Sequence, residues 1–278
     1  LGTPAAVGPA ADARIRIEAR VLERAQGTAI PMYGKNQDEK TKESHATEAV
    51  LNATALVLDD LGTKGVLSSQ AKMAIEGMWK EQRADGAWDW LEFGLEPWET
   101  GNDWGAAMAA LVAGSIPEDT STTQAASTAK LVGYLEGRLK SMSLHDRITV
   151  LWASSKLKTL LDTTEQTAIA SEISATQLQD GGFSLGSWTQ SNLGTIAPTS
   201  DGYATALAVL ALCTGSPDGP KRPDVLKALA WIATNQQSDG SWPGRSVNSE
   251  SARGNMFMTD AATAYAMIAI TSCVPDVK

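Results

Sequence analysis

The 278-residue sequence is short of several residue types, and each shortage narrows the class of protein it can encode. It has 2 Cys and 2 His, and Cys213 and Cys273 form neither a CxxC pair nor a recognisable metal spacing. They are expected to be buried, unpaired thiols, and a zinc site is not expected. No apolar run reaches the roughly eighteen residues that a membrane span requires, so no transmembrane segment is expected, while peripheral membrane contact stays open. Lys and Arg number 23 against 32 Asp and Glu, a net charge of −9, and there is no basic tract. That balance argues against a nucleic-acid partner. Tyr (4) and Phe (3) are scarce, whereas there are 9 Trp. The start, "LGTPAAVGPAADA", is rich in Ala, Pro and Gly, compatible with a cleaved export signal or an excised domain. Cytoplasmic and exported (periplasmic) locations both stay open.

What the sequence does have is helical periodicity of two alternating kinds. One kind is amphipathic: residues 69–82 place Ala71, Ala74, Ile75, Met78 and Trp79 on one stripe. Residues 128–140, 164–177 and 222–236 (Val225, Leu226, Leu229, Ile232, Ala233) read the same way, and 12–25 is a weaker example. The other kind is apolar almost all round, at 46–58, 104–114, 146–157, 201–213 and 260–270, which predicts burial on every side. Strand signals are nearly absent. A ring of buried helices jacketed by half-exposed ones, an all-α fold of the α/α toroid type with about five helix pairs, satisfies both patterns. Residues 1–30 read as an N-terminal segment with one helix, and 31–278 as the toroid domain.

Three segments repeat a pattern: "QRADGAW" from Gln82, "QLQDGGF" from Gln177 and "QQSDGSW" from Gln236, all Q-x-x-D-G-x-[WF]. Each ends an amphipathic helix, where Asp-Gly turns the chain, the ring packs over the helix end and the Gln amide can satisfy loose backbone groups. The segments resemble the QW motifs of squalene-hopene cyclases and related triterpene cyclases, and more loosely those of protein prenyltransferase β subunits. The resemblance spans roughly residues 44–278. It implies an α/α barrel with a central apolar cavity, an apolar small-molecule ligand and no cofactor, with the chain long enough for one barrel of the two that such cyclases carry. An upstream domain of the same protein is then a conceivable partner.

Candidate chemistry gathers at the starts of the buried helices, each of which carries a carboxylate: Glu48, Asp103, Asp146, Asp201 and Asp260. Asp is a preferred N-cap, so capping explains any one of them; the functional alternative is a polar mouth where crowding raises one pKa for general acid work. Asp201, Asp260, Asp146 and Glu48 are the catalytic candidates. About twenty residues of loop at 83–103, 178–200 and 237–258 hold most of the aromatic surplus. Trp90, Trp98, Glu99, Asp103 and Trp104 from the first loop, with Tyr203 and Tyr265 one turn inside the barrel, are the candidate ligand-binding residues, because π faces stabilise positive charge and stack on sugar rings alike.

Triterpene cyclases protonate an alkene with the middle acid of a DxDD motif. The nearest match is "VLDDLG", with Asp59 and Asp60 but no leading Asp. Prenyltransferase zinc ligands, a thioester segment, a phosphate loop, HExxH and Gly-x-Ser-x-Gly are all missing. Three readings stay open: an isoprenoid-binding domain that cyclises or isomerises its ligand, a non-catalytic binding or scaffold module, and a carbohydrate-active enzyme pairing Glu96 or Glu99 with Asp201 or Asp260.

Overall fold

The computed structural model describes residues 9–27, 38–116, 122–194 and 197–274, so most of the Ala/Pro/Gly-rich start lies outside the described residues. Among the described residues the chain is all-α, with ten α-helices, two single-turn 3-10 segments and no strand. No helix is long and apolar enough to cross a membrane, among the residues described. Two compact units divide the chain. The first comprises Leu1–Phe93 with Glu99–Arg138, and the second Gly94–Trp98 with Leu139–Lys278.

The first unit holds α1 (Pro9–Ala25), α2 (Asp38–Thr63), α3 (Ser69–Lys80), α4 (Asp103–Ser115) and α5 (Thr122–Arg138). Helix α4 is the apolar centre, buried from Asp103 through Val112 and packed on α2 and α5. Helix α1 lies against α3 and α2. Asp60 ties the end of α2 to the start of α3: it is fully buried and accepts from the Ser68 amide (2.7 Å), Lys64 (3.0 Å) and Arg14 (2.8 Å). Burial works against its charge, yet the Ser68, Lys64 and Arg14 hydrogen bonds hold it at about 2. The "VLDDLG" acid pair is thus a structural clasp, with Asp59 also on Arg14.

The second unit holds α6 (Leu144–Ser154), α7 (Thr163–Ser174), α8 (Gly202–Gly215), α9 (Pro223–Thr234) and α10 (Ala252–Cys273). Helix α8 is buried along almost its whole length, between α6, α9 and α10. Its close approach to α6 requires Gly215, where an added Cβ would stand 2.1 Å from the Leu151 carbonyl oxygen. Side chains with oxygen atoms start four of these helices, Ser143, Asp162 in a capping box with Glu165, Asp201 and Ser251, while α9 starts at Pro223 without a side-chain cap.

Burial on every side holds for α4 and α8 and for most of α6, but not for α2 and α10. Helix α2 buries one stripe (Ala46, Val50, Ala53, Val57) and exposes Leu51 and Ala55. Helix α10 buries Met258, Ala262, Ala266, Ala269 and Cys273 at helical spacing and exposes Met267 and Ile268. The cysteine expectation is overturned as well. Because α8 and α10 run side by side, Cys213 and Cys273 at their C-terminal ends meet with Cα atoms 6.0 Å apart and form a disulfide.

The three repeats share one turn. In each, the first residue after the Gln accepts from the Gly amide and donates its own amide to a carbonyl beyond the Gly: Arg83 to Ala87, Leu178 to Gly182, Gln237 to Ser241. The Asp side chain closes the turn onto the amides of Ala87, Gly182 and Ser241 respectively. Gly86, Gly181 and Gly240 all adopt positive φ, +98°, +90° and +86°. The indoles of Trp88 and Trp242 donate to carbonyls on the preceding helix, Met78 (2.8 Å) and Ile232 (2.7 Å).

The Gln side chains then differ. Gln82 Nε2 donates to Gly86 and also to the Ser127 carbonyl of α5 (2.9 Å), and Gln177 Nε2 donates to Gly181 and to the Asp224 carbonyl of α9 (2.8 Å). Gln236 donates to Gly240 within its own turn and is exposed. Replacing Gln82 or Gln177 by Ala is therefore expected to cost about 1–2 kcal/mol, and Gln236→Ala less than about 0.5 kcal/mol, by urea denaturation. Closing a loop of 60 residues, the disulfide is expected to contribute about 4 kcal/mol in the chain-entropy treatment. Alkylation of the denatured, unreduced protein should find no free thiol, and two labelled cysteines would refute the pairing.

Candidate functional site

Four of the candidate residues come together in the second unit: Trp98, Asp146, Tyr203 and Tyr265. The element that joins them is His145, which the sequence reading passed over in favour of its neighbour. Ser143 caps α6 and sets His145 and Asp146 in its first turn. His145 and Tyr203 are both fully buried. The imidazole Nε2 lies 2.8 Å from the Tyr203 hydroxyl and Nδ1 lies 3.2 Å from Asp146 Oδ1.

Donor and acceptor roles follow from the groups' chemistry. An indole N–H can only donate, so Trp98 Nε1 donates to the Tyr203 oxygen (3.0 Å). A carboxylate can only accept, so His145 Nδ1 carries a proton towards Asp146 and Nε2 presents a lone pair to the Tyr203 O–H. Tyr265 packs edge-on against Tyr203, and a hydrogen bond with Tyr203 works against the burial that raises the Tyr265 hydroxyl. The chain Tyr203–His145–Asp146 thus runs in one direction, with Tyr265 beside its Tyr203 end. Asp146 is 14% exposed and Tyr265 is half-buried, while Tyr203 and His145 between them are fully buried.

Aromatic rings enclose it. Trp98 packs edge-on against Tyr203 (5.2 Å between centroids) and Phe257 (5.6 Å), and Tyr265 packs edge-on against Tyr203 (5.0 Å) and Trp152 (5.9 Å). Burial pushes the Tyr265 hydroxyl up to about 12 and Tyr203 well above the ordinary phenol range, so both are neutral at physiological pH.

Asp201 lies at the start of the same α8 but faces away from the relay into backbone. Its Oδ1 caps the helix on the Ala204 amide and its Oδ2 accepts from the Leu185 amide, each at 2.8 Å. Burial pushes the carboxyl up to about 6 in spite of these amide hydrogen bonds. Two of the other acids are not at helix starts. Helix α2 begins at Asp38 and α10 at Ala252, which puts Glu48 and Asp260 well inside their helices; this corrects the expectation that all five acids line up at N-termini. Asp260 is exposed to solvent. Glu48 stands in a cleft of about 480 Å³ bounded by α1, α2 and α3, paired with Arg20 (3.0 Å) and Arg24 (2.6 Å).

The remaining candidates belong to the first unit. Asp103 accepts from the Tyr134 hydroxyl (2.6 Å) and from Arg138 at 2.9 and 3.2 Å, a clamp between the start of α4 and the end of α5. Trp90 and Trp104 are buried and packed edge-on at 5.5 Å, with Trp90 seated on Gly105. Burial raises the Glu99 carboxyl, and Lys40 opposes the shift. Among the described residues no cluster of three or more His, Cys, Asp or Glu is placed to hold a metal ion. Neither known protein-family models nor curated proteins match the chain.

The raised carboxyl gives a pH test. A folded-state value above the unfolded one means that Asp201 stabilises the fold fully below about pH 4 and that this contribution is lost as pH rises through about 6. Wild-type stability relative to Asp201→Ala should therefore fall by roughly 2 kcal/mol between pH 4 and 7.5 in parallel urea titrations. A pH-independent difference would show that the carboxyl stays ionised throughout.

Proposed function

We propose that this chain is a squalene-cyclase-like domain of the α/α toroid type. In this reading it binds an isoprenoid or similar apolar ligand against its aromatic residues and isomerises or cyclises it through proton transfer. The observation that carries the reading is the chain from Tyr203 through His145 to Asp146, with Tyr265 against Tyr203, inside an aromatic cluster of Trp98, Phe257 and Trp152. The three QW-type turns support the family likeness.

The chemistry of the chain favours taking a proton from the ligand over giving one. A phenol held near 12 is far too weak an acid to protonate an unactivated alkene, consistent with the missing first Asp of DxDD. In the opposite direction a ligand that is already a carbocation loses a proton from the carbon next to its positive centre to the Tyr265 oxygen and becomes a neutral alkene. Tyr265 passes its own proton to Tyr203, Tyr203 passes one to His145 Nε2, and the resulting imidazolium is paired with Asp146. Aromatic faces stabilise positive charge on the ligand meanwhile. Such a domain would act as an isomerase or as the terminating centre of a cyclisation.

A non-catalytic binding module is the second reading. Asp103 and Asp201, two of the candidate acids, have their oxygens committed to a clamp and a cap, which favours it. Incubation with squalene, epoxysqualene and shorter polyprenyl substrates in deuterated water, followed by mass spectrometry, separates the two. The proton-transfer reading expects a product that has lost a ligand proton and carries no deuterium from solvent, and whose formation His145→Gln and Tyr265→Phe reduce by about a hundredfold or more. Binding without product leaves the module reading, and neither binding nor product sinks both.

A further inference from the structure

The first two repeats are templates for what the third lacks. At each, the next half-exposed helix lays its early turns over the repeat: the Gln donates to a carbonyl of that helix (Ser127 or Asp224), and three residues on, the Lys130 or Lys227 carbonyl lies over the Gly. A Cβ on Gly86 or Gly181 would come within 2.2 or 3.0 Å of those carbonyl oxygens, whereas the nearest atom to one on Gly240 is the repeat's own Gln236 side chain, at 3.9 Å. Gly86 and Gly181 are buried and Gly240 is exposed. The third repeat has the same turn, the same positive φ and the same Gln, but among the described residues no helix lies over it.

The helix that leads into the third repeat is also unlike its counterparts. On α9, Leu226, Ala230 and Ala233 form an exposed apolar stripe at helical spacing that runs up to Gln236. Measured back from the Gln, the first two of those positions are Lys72 and Glu76 on α3, and Thr167 and Ser171 on α7, all exposed and polar. A polar helix side needs no cover beyond its docked neighbour, while an apolar one next to an open docking turn does.

The chain also contains a half-exposed helix with an uncovered apolar side. Helix α1 presents Ile15 (62% exposed), Ala19 and Leu22 (46%) along one line, one residue from Arg16. Ile15 and Ala19, four apart, have the spacing of Leu131 and Leu135 on α5 and of Ala228 and Ile232 on α9, the buried residues that follow the carbonyls taken by the first two Gln side chains. Arg16 would meet the exposed Asp239 of the repeat.

We propose that the third repeat and the Leu226–Ala230–Ala233 stripe of α9 receive α1 of a second copy of this chain, so that copies associate head to tail. Gln236 then donates its second Nε2 proton to a carbonyl in the early turns of the incoming α1, as Gln82 and Gln177 do within one chain. The two surfaces are different, so the contact is heterologous and each copy offers one of each.

Sedimentation equilibrium of the full chain tests this with Ile15→Asp on one surface and Ala230→Glu on the other, both exposed sites whose folding circular dichroism can verify. Wild type should self-associate with rising concentration, and each variant alone should weaken that association by at least about tenfold. An equimolar mixture of the two variants keeps one intact surface on each partner and should form a closed 1:1 pair that neither forms alone. A wild type that stays monomeric, association that neither variant weakens, or a mixture that fails to pair would each overturn the proposal.

Discussion

In each unit the second proton of a glutamine amide joins a turn to the helix that packs over it. The first proton closes the Q-x-x-D-G turn on its own Gly carbonyl. The second reaches a carbonyl in the early turns of the following helix, Ser127 in one unit and Asp224 in the other, and so fixes where that helix starts. Glycine is required between them because the incoming backbone occupies the space where a Cβ would stand. The Trp indole ties the same turn to a carbonyl of the helix before it. One short segment thus positions the preceding helix, the turn and the following helix together, and polar groups that a helix end leaves unsatisfied are consumed in doing so.

Packing by Ala and Gly along α4 and α8 has a second effect. Small side chains bring helices close and leave little water between them, so any polar group near the helix starts must find its partner locally or pay the desolvation cost. Asp201 solves this with two backbone amides, which cannot release a proton, and it becomes a cap. His145 solves it with Tyr203 and Asp146, groups that exchange protons, and becomes part of a relay. The same constraint is met by fixed backbone amides in one place and by titratable side chains a helix away.

This distinction explains what was legible in the sequence. Each of the ten helices was placed, because apolar periodicity marks the stripe that a helix buries. The starts of α2 and α10 were read too late, since "DEKTKES" and "ARGN" form helix without contributing apolar period, and Glu48 and Asp260 were misplaced as a result. The Cys213–Cys273 pair needed the knowledge that α8 and α10 lie side by side, which no spacing encodes. His145 is one of two histidines in the chain, directly before an acid at the start of a buried helix, but its partner Tyr203 lies 58 residues away and no local motif marks the pair.

Helix α9 shows the limit of counting apolar residues. Val225, Leu226, Leu229, Ile232 and Ala233 read as one broad buried stripe, yet Val225 and Ile232 face the core while Leu226 and Ala233 are exposed. A periodicity count cannot tell one wide apolar face from two narrower ones, because neighbouring positions on a helix differ by only about 100° in direction. The packing on α8 resolves it: the α8 side is filled by Val225, Ala228 and Ile232, and nothing about that contact calls for Leu226 or Ala233 to be apolar. The counterpart helices α3 and α7 bury a single stripe with polar residues beyond it. The second apolar face of α9 is therefore not explained by the fold of its own unit, and it lies beside the repeat whose glutamine, among the described residues, donates only within its own turn.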